Sequence, residues 1–302
     1  MLDTSLLETG RFFLLLSAEL ILLFIGISFL VGLLLEYVPL ATIQRVMGQG
    51  KNWLAMNALG AGFGALTPFC SCSTIPILLG MLKGGVPFGA AMSFLVASPL
   101  LNPIIILMLL GLMGWQTTLM YVGMVFPAAI LAGAAWERMG LAADIKDVGL
   151  KAIGQSGCHC AEVPLTRGPR FRKALRGALD IFRQVFPWLI AGAAIGALVH
   201  GVIPQTWIVH LAGEQNPLAI PVAAVIGIPM YIRASTILPI SSVLLAQGMG
   251  LGVVMALVIG GAGASLPEVT LLSAIFKRRL IATFVVTVLL VAIVTGFVFS
   301  LV

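Results

Sequence analysis

Charge is what this sequence lacks. Only 9% of its 302 residues are Asp, Glu, Lys or Arg, while 60% are hydrophobic and the mean hydropathy is +1.12. Soluble domains carry about 25% charged residues, so too little polar surface exists here to cover a water-soluble globule. A soluble enzyme and a disordered chain are excluded, and an integral membrane protein remains. Four cysteines form two C-x-C pairs, Cys70/Cys72 and Cys158/Cys160, which is not a disulfide framework. No Gly-x-x-x-x-Gly-Lys motif occurs, so the chain itself has no ATP-driven motor. No acid and base flank a nucleophile, so an enzyme ranks last. The first apolar run, Phe12 to Val38, has neither a basic cluster before it nor a small-residue cleavage site after it, and reads as a retained helix. The net charge of +6 reads as a topology signal, and no nucleic-acid partner is expected.

What the sequence has is long apolar runs interrupted by glycine and proline. A bilayer core about 30 Å thick takes roughly 20 helical residues. Phe12 to Val38, Val86 to Gly114, Trp115 to Trp136, Phe182 to Ile203, Leu251 to Ile275 and Leu280 to Val302 meet that length. Two further stretches, 52–82 and 217–246, are too short for two spans and are broken midway, at Thr67 to Cys72 and at Pro229 to Arg233. Both read as re-entrant hairpins, tolerated inside a membrane only where protein or water surrounds the tip; tilted full spans are the alternative. Nine Lys/Arg lie between Glu137 and Arg183. The positive-inside rule puts that segment in the cytoplasm and both termini outside, in a bacterial cytoplasmic membrane.

The two halves resemble one another at offsets near 164. Glu36-Tyr37-Val38-Pro39 matches the His200 to Pro204 segment, Gly48-Gln49-Gly50 matches Gly213-Glu214-Gln215, Ser73 to Pro76 matches Ser235 to Pro239, and Asn102-Pro103 matches Leu266-Pro267. The expected fold is therefore an all-α membrane protein with an inverted-topology repeat. Residues 1–136 form one repeat with hairpin 52–82, 137–173 a basic cytoplasmic linker, and 174–302 the second repeat with hairpin 217–246. Three spans per repeat is an odd number, so the copies insert in opposite orientations, as in many secondary transporters.

In such proteins the site lies at the midplane, where broken helices expose backbone groups. The first tip offers Cys70, Ser71, Cys72 and Ser73; thiolates suit Cu(I), Zn and similar thiophilic centres, whereas small residues also let a tip pack closely. The second tip offers Arg233, with Tyr231, Ser235 and Thr236 beside it. An arginine in an apolar segment marks a functional site by default and suits an anionic solute, a counter-charge to Glu19 or Glu268, or a snorkelling position at the surface. Asn102 sits at the break Ser98-Pro99-Leu100-Leu101-Asn102-Pro103, where two prolines free backbone carbonyls. Glu268, after the Gly-rich break at Gly260 to Pro267, is a candidate proton-coupling carboxylate or a partner for Arg233, and Glu19 is a second candidate or an interfacial residue. Cys158-His159-Cys160 in the linker offers soft ligands for a transient or shared metal site, or is an exposed reduced segment.

The run Pro68-Phe69-Cys70-Ser71-Cys72-Ser73-Thr74-Ile75-Pro76, followed by Gly80, Lys83-Gly84-Gly85-Val86, Gly89-Ala90 and Ser98 to Pro103, resembles the signature of a bacterial predicted-permease family. That family includes organoarsenical efflux permeases and relatives suggested to export copper or zinc. The resemblance implies a permease that moves a small solute, with Cys70 and Cys72 as thiol contacts for trivalent arsenic or a soft metal. Arg233 does not suit an uncharged organoarsenical and leaves room for an anion. The sequence thus points to a permease without cofactor, set in the lipid bilayer and acting on a small thiophilic species or small anion. A passive channel of the same fold is the alternative, and a membrane-embedded sulfur- or metal-handling enzyme the remote one. The oligomeric state is not readable.

Overall fold

The computed structural model describes residues 52–67, 71–146, 218–230, 245 and 249–301. Apart from turns and one isolated antiparallel bridge between Ile145 and Phe276, these residues are helical. The helices are α1 (Trp53–Leu66), α2 (Ser71–Lys83), α3 (Phe88–Leu100), α4 (Pro103–Arg138), α5 (Ala219–Met230), α6 (Leu251–Gly263), α7 (Leu266–Ser273) and α8 (Arg278–Ser300). A short 3₁₀ turn, Leu141–Asp144, follows α4.

Local chemistry sets the boundaries. Asn102 caps α4, its Oδ1 accepting from Ile104 N at 3.0 Å, and Pro103 occupies the first helical position, where its missing N–H and fixed φ cost nothing. Gly114 interrupts α4 at φ 85°, ψ 172°, a conformation open to glycine alone. Gly140, at φ 66°, ends that helix in the left-handed conformation usual after a last turn.

Burial sorts the helices into layers. Every residue of α3 from Gly89 to Leu100 is buried, and so is nearly all of α6; helices apolar on every side belong in a core. Outside them, α4 and α8 expose Trp115, Leu119, Leu131, Val286, Leu290, Val294 and Phe297. Apolar faces of that extent are unsuited to water. The segments Pro103–Arg138, Leu251–Ser273 and Arg278–Ser300 are long and apolar enough to cross a membrane, the middle one being interrupted at Ala264 and Ser265. The chain is a multi-pass, all-helical membrane protein.

The two halves are packed from equivalent parts. Phe88 to Leu251 and Leu100 to Gly263, the ends of α3 and α6, are both steps of 163 residues. The same step carries the α1–α3 contact onto the α5–α6 contact. A methyl on Gly64 would meet Phe94 O at 2.9 Å and Ser98 N at 3.0 Å, and one on Gly227 would meet Leu257 O at 2.7 Å and Gly261 N at 2.8 Å. It also carries the Gly89/Gly133 approach of α3 and α4 onto the Gly252/Gly296 approach of α6 and α8. The sequence pairs Asn102-Pro103 with Leu266-Pro267, but the helix caps pair Asn102 with Ser265; the proline falls one position later in the second half. Gly114, in the kink of α4, corresponds to Lys277, in the turn between α7 and α8.

Of the two stretches expected to form hairpins, 52–82 contains the short helices α1 and α2 on either side of the expected break. At 14 and 13 residues each is about 20 Å long, short of a membrane's hydrocarbon core. Of 217–246, the described part is chiefly α5. The spans Phe12 to Val38 and Phe182 to Ile203, and the linker beyond Lys146, lie outside the described residues. The start of the linker is clasped to the second half: Lys146 N donates to Ile275 O and Lys277 N to Asp144 O, both at 2.8 Å. Lys146 Nζ donates to Ser273 O at 2.5 Å and Lys277 Nζ to Ala143 O at 2.9 Å.

Candidate functional site

Two helix breaks meet at the centre. Between α3 and α4 the chain turns at Leu101-Asn102; between α6 and α7 it turns at Ala264-Ser265. The last residues before each break touch, since a methyl on Gly263 would lie 2.7 Å from Leu100 Cδ2. Each break also has the same backbone closure: Leu101 N donates to Ala97 O at 2.7 Å and Ala264 N to Gly260 O at 3.3 Å.

A break in an apolar interior strands carbonyls, and those must find donors. Pro103 has no N–H to offer Pro99 O, and Ile104 N is taken by Asn102 Oδ1. The Leu100 carbonyl that Ile104 would have served accepts instead from the hydroxyl of fully buried Tyr121, at 2.7 Å. Around this turn Thr67 Oγ1 donates to Gly64 O at 2.8 Å and lies 3.5 Å from Ser98 Oγ. Thr67 and Ser98 are both buried, so the end of α1 and the end of α3 bring two hydroxyls together beside the first hairpin's break.

The second break carries a carboxyl group. Glu268 lies in the first turn of α7 and is 2% exposed. An acid there is favoured by the positive end of its own helix. Helix α7 packs against α2, whose first turn holds Ser71, Cys72 and Ser73 and whose Thr74 is buried. Thus α2 and α7 are neighbours, and Asn102 is the cap of the helix that leaves the first break. Cys70, Glu19, Tyr231, Arg233, Ser235, Thr236, Cys158, His159 and Cys160 lie outside the described residues. Among the described residues no group of three or more His, Cys, Asp or Glu is gathered to hold a metal ion. Tyr121, Thr67 and Ser98 were not singled out from sequence. The signal for Tyr121 was a lone tyrosine in an apolar span, which needs a hydrogen-bond partner once buried.

Broken helices meeting behind exposed apolar helix faces are an arrangement of a membrane protein. The chain belongs to the predicted-permease family, whose model matches residues 6–301. It is 27% identical to the UPF0718 protein YcgR of Bacillus subtilis, over 95% of this chain and 96% of that one. It is 24% identical to a UPF0718 protein of Methanocaldococcus jannaschii, over 85% of each chain. A Streptococcus mutans protein named "Putative two-component membrane permease complex subunit" is 24% identical over 97% of this chain and 95% of its own. No solved structure matches.

Proposed function

We propose that this permease moves a small thiophilic metal or metalloid species, or a small anion, through a central site between broken helices, and that its halves are inverted-topology repeats. The observation that carries the reading is the contact of Leu100 with Gly263. These are equivalent residues, 163 positions apart, at the ends of equivalent helices. Equivalent residues touch when two copies are related by a two-fold axis, whereas copies related by translation bring unlike residues together. An odd number of spans per repeat puts that axis in the membrane plane, the symmetry of inverted repeats, whose substrate sites form where discontinuous helices meet. The short lengths of α1 and α2 support a re-entrant hairpin over 52–82.

In this mechanism the cargo binds between the hairpin tips. Cys70 and Cys72, with Ser71 and Ser73, contact a thiophilic centre, and Arg233, with Tyr231, Ser235 and Thr236, fixes an anionic one. Asn102 lines the path. Glu268, with Glu19 as a second carboxylate, takes up and releases a proton as the halves rock. The linker cysteines and His159 are an auxiliary metal site at the cytoplasmic face of the inner membrane.

Proteoliposomes tell these assignments apart. Uptake of trivalent methylarsenite or Cu(I) should fall at least about tenfold in Cys70→Ser/Cys72→Ser, and uptake of a small oxyanion should fall similarly in Arg233→Gln. Glu268→Gln should abolish the dependence of either flux on an imposed pH gradient. Flux that follows the cargo gradient alone, unchanged by Glu268→Gln, would make the protein a channel. Retained thiophilic uptake in the double cysteine variant would remove the thiol site.

A further inference from the structure

Away from the central breaks, a polar cluster is buried where α1, α3 and α4 cross. Asn57 is 1% exposed and Ser93 fully buried; among the described residues neither Asn57 Oδ1, Asn57 Nδ2 nor Ser93 Oγ has a hydrogen-bond partner. Leaving such groups unpaired costs about 1–3 kcal/mol apiece, so their presence needs a reason. Oxygens converge on the face of Gly89. A methyl there would strike Glu137 Oε2, and would lie 2.9 Å from Asn57 Oδ1 and 3.1 Å from Gly133 O. On the neighbouring face of Gly133, Ser93 Oγ and Gly89 O are equally close.

Packing alone does not require this polarity. The second half builds the same crossing, with Gly252 and Gly296 in place of Gly89 and Gly133, and lines it with Ile220, Ala256 and Ser300. Those three stand 163 positions after Asn57, Ser93 and Glu137. Their side chains bring one hydroxyl, and Ser300 Oγ donates it to Phe297 O at 2.7 Å. The first half has thus replaced an apolar seam by two neutral oxygen ligands and a carboxylate. Arg138, next to Glu137, lies over the Trp53 ring, 5.0 Å from its centroid, and among the described residues no basic side chain pairs with Glu137.

Several oxygens and one carboxylate, with no basic side chain paired to them among the described residues, form the donor set of a hard cation. A single carboxylate matches a single positive charge. Glu137 lies in the last turn of α4, whose negative end adds to the attraction, and it is exposed, which leaves a way in. We infer that Asn57, Ser93 and Glu137, with the Gly89 and Gly133 carbonyls, form a binding site for a monovalent cation of sodium's size. It is separate from the central site and independent of which cargo that site carries.

The test uses the purified full-length protein in detergent. Saturating Na⁺ should raise the unfolding temperature by about 3 °C or more over equal choline, as a ligand bound only to the folded state must, and by more than K⁺ does. Labelled ²²Na⁺ should bind with a stoichiometry near one. Asn57→Ile/Ser93→Ala copies the residues the second half uses at equivalent positions, so it should fold, and it should weaken ²²Na⁺ binding at least about tenfold. Glu137→Gln, which keeps the size of the side chain, should do the same. Absence of any Na⁺-specific shift in the wild type would overturn the proposal. So would variants that change stability equally in Na⁺ and choline, since the cluster would then be a hydrogen-bonding element only.

Discussion

The two helix breaks at the heart of the protein have the same backbone and different chemistry. In the first, Asn102 caps the outgoing helix and the Tyr121 hydroxyl takes the carbonyl of Leu100. In the second, the position of Asn102 is held by Ser265, which makes no capping bond, and that of Tyr121 by Phe284, which has no hydroxyl and packs edge-on against Trp136 at 6.3 Å. The carboxyl group lies the other way round: Glu268 stands where the first half has Ile105, which is fully buried. The first break has a side-chain cap and a tyrosine hydroxyl on its carbonyl; the second has neither equivalent and holds a carboxyl group. Elements that move are drawn from the less secured parts of a fold, so under the proposed mechanism motion coupled to a proton falls at the second break.

The comparison can be broken at its foundation, the close glycine contacts common to both halves. A methyl on Gly64 would lie 2.9 Å from the Phe94 carbonyl oxygen, and one on Gly227 2.7 Å from the equivalent Leu257 oxygen. Backbone cannot step aside as a side chain can, so Gly64→Ala and Gly227→Ala should each destabilise by about 2–3 kcal/mol, the upper range for overpacking. Gly62→Ala meets nothing within 4 Å and should stabilise by up to about 1 kcal/mol through helix propensity. Thermal unfolding in detergent reads all three, and a Gly227→Ala protein as stable as wild type would dissolve the equivalence.

The difference between the breaks is sharpened by exchanging their residues. Tyr121→Phe gives the first break the residue of the second and leaves the Leu100 carbonyl without its donor, at a cost of about 2 kcal/mol. Amide exchange should rise around Leu101 to Ile104. An unchanged stability would mean that another donor serves that carbonyl and that the first break is no better secured than the second. The caps give the smallest effect. Asn102→Ala should cost about 1 kcal/mol and Ser265→Ala only a few tenths, because only the former loses a side-chain cap. Equal costs would erase this part of the asymmetry.

The breaks were the legible part of the fold. Proline and glycine punctuate a chain regardless of its tertiary partners, so the interruptions at Thr67 to Cys72, Ser98 to Pro103 and Gly260 to Glu268 coincide with helix ends. Asn102 and Glu268 stood out because polar groups in apolar runs are rare. The exact register did not stand out. Sequence matches scatter between 162 and 165 because apolar residues interchange freely, whereas the glycine contacts fix 163 for the core helices. Asn57, Ser93 and Glu137 escaped notice for a related reason: they are separated by 36 and 44 positions, and only the crossing of three helices gathers them. The clasp of residues 141–146 on the α7–α8 turn is made by main-chain groups and lysine amines, to which composition is blind.

The central claim is that the halves face opposite ways, and side-specific labelling tests it most directly. Met139 follows α4 and Leu301 follows α8, the equivalent helix of the other half, and both are well exposed. In a background with the four native cysteines replaced, Met139→Cys and Leu301→Cys would be exposed in turn to a membrane-impermeant thiol reagent, in intact cells and in inside-out vesicles. The account predicts that residue 139 reacts only from the cytoplasmic face and residue 301 only from the opposite one. Reaction of both from the same face would contradict it, and with it the inverted repeat on which the central site is built.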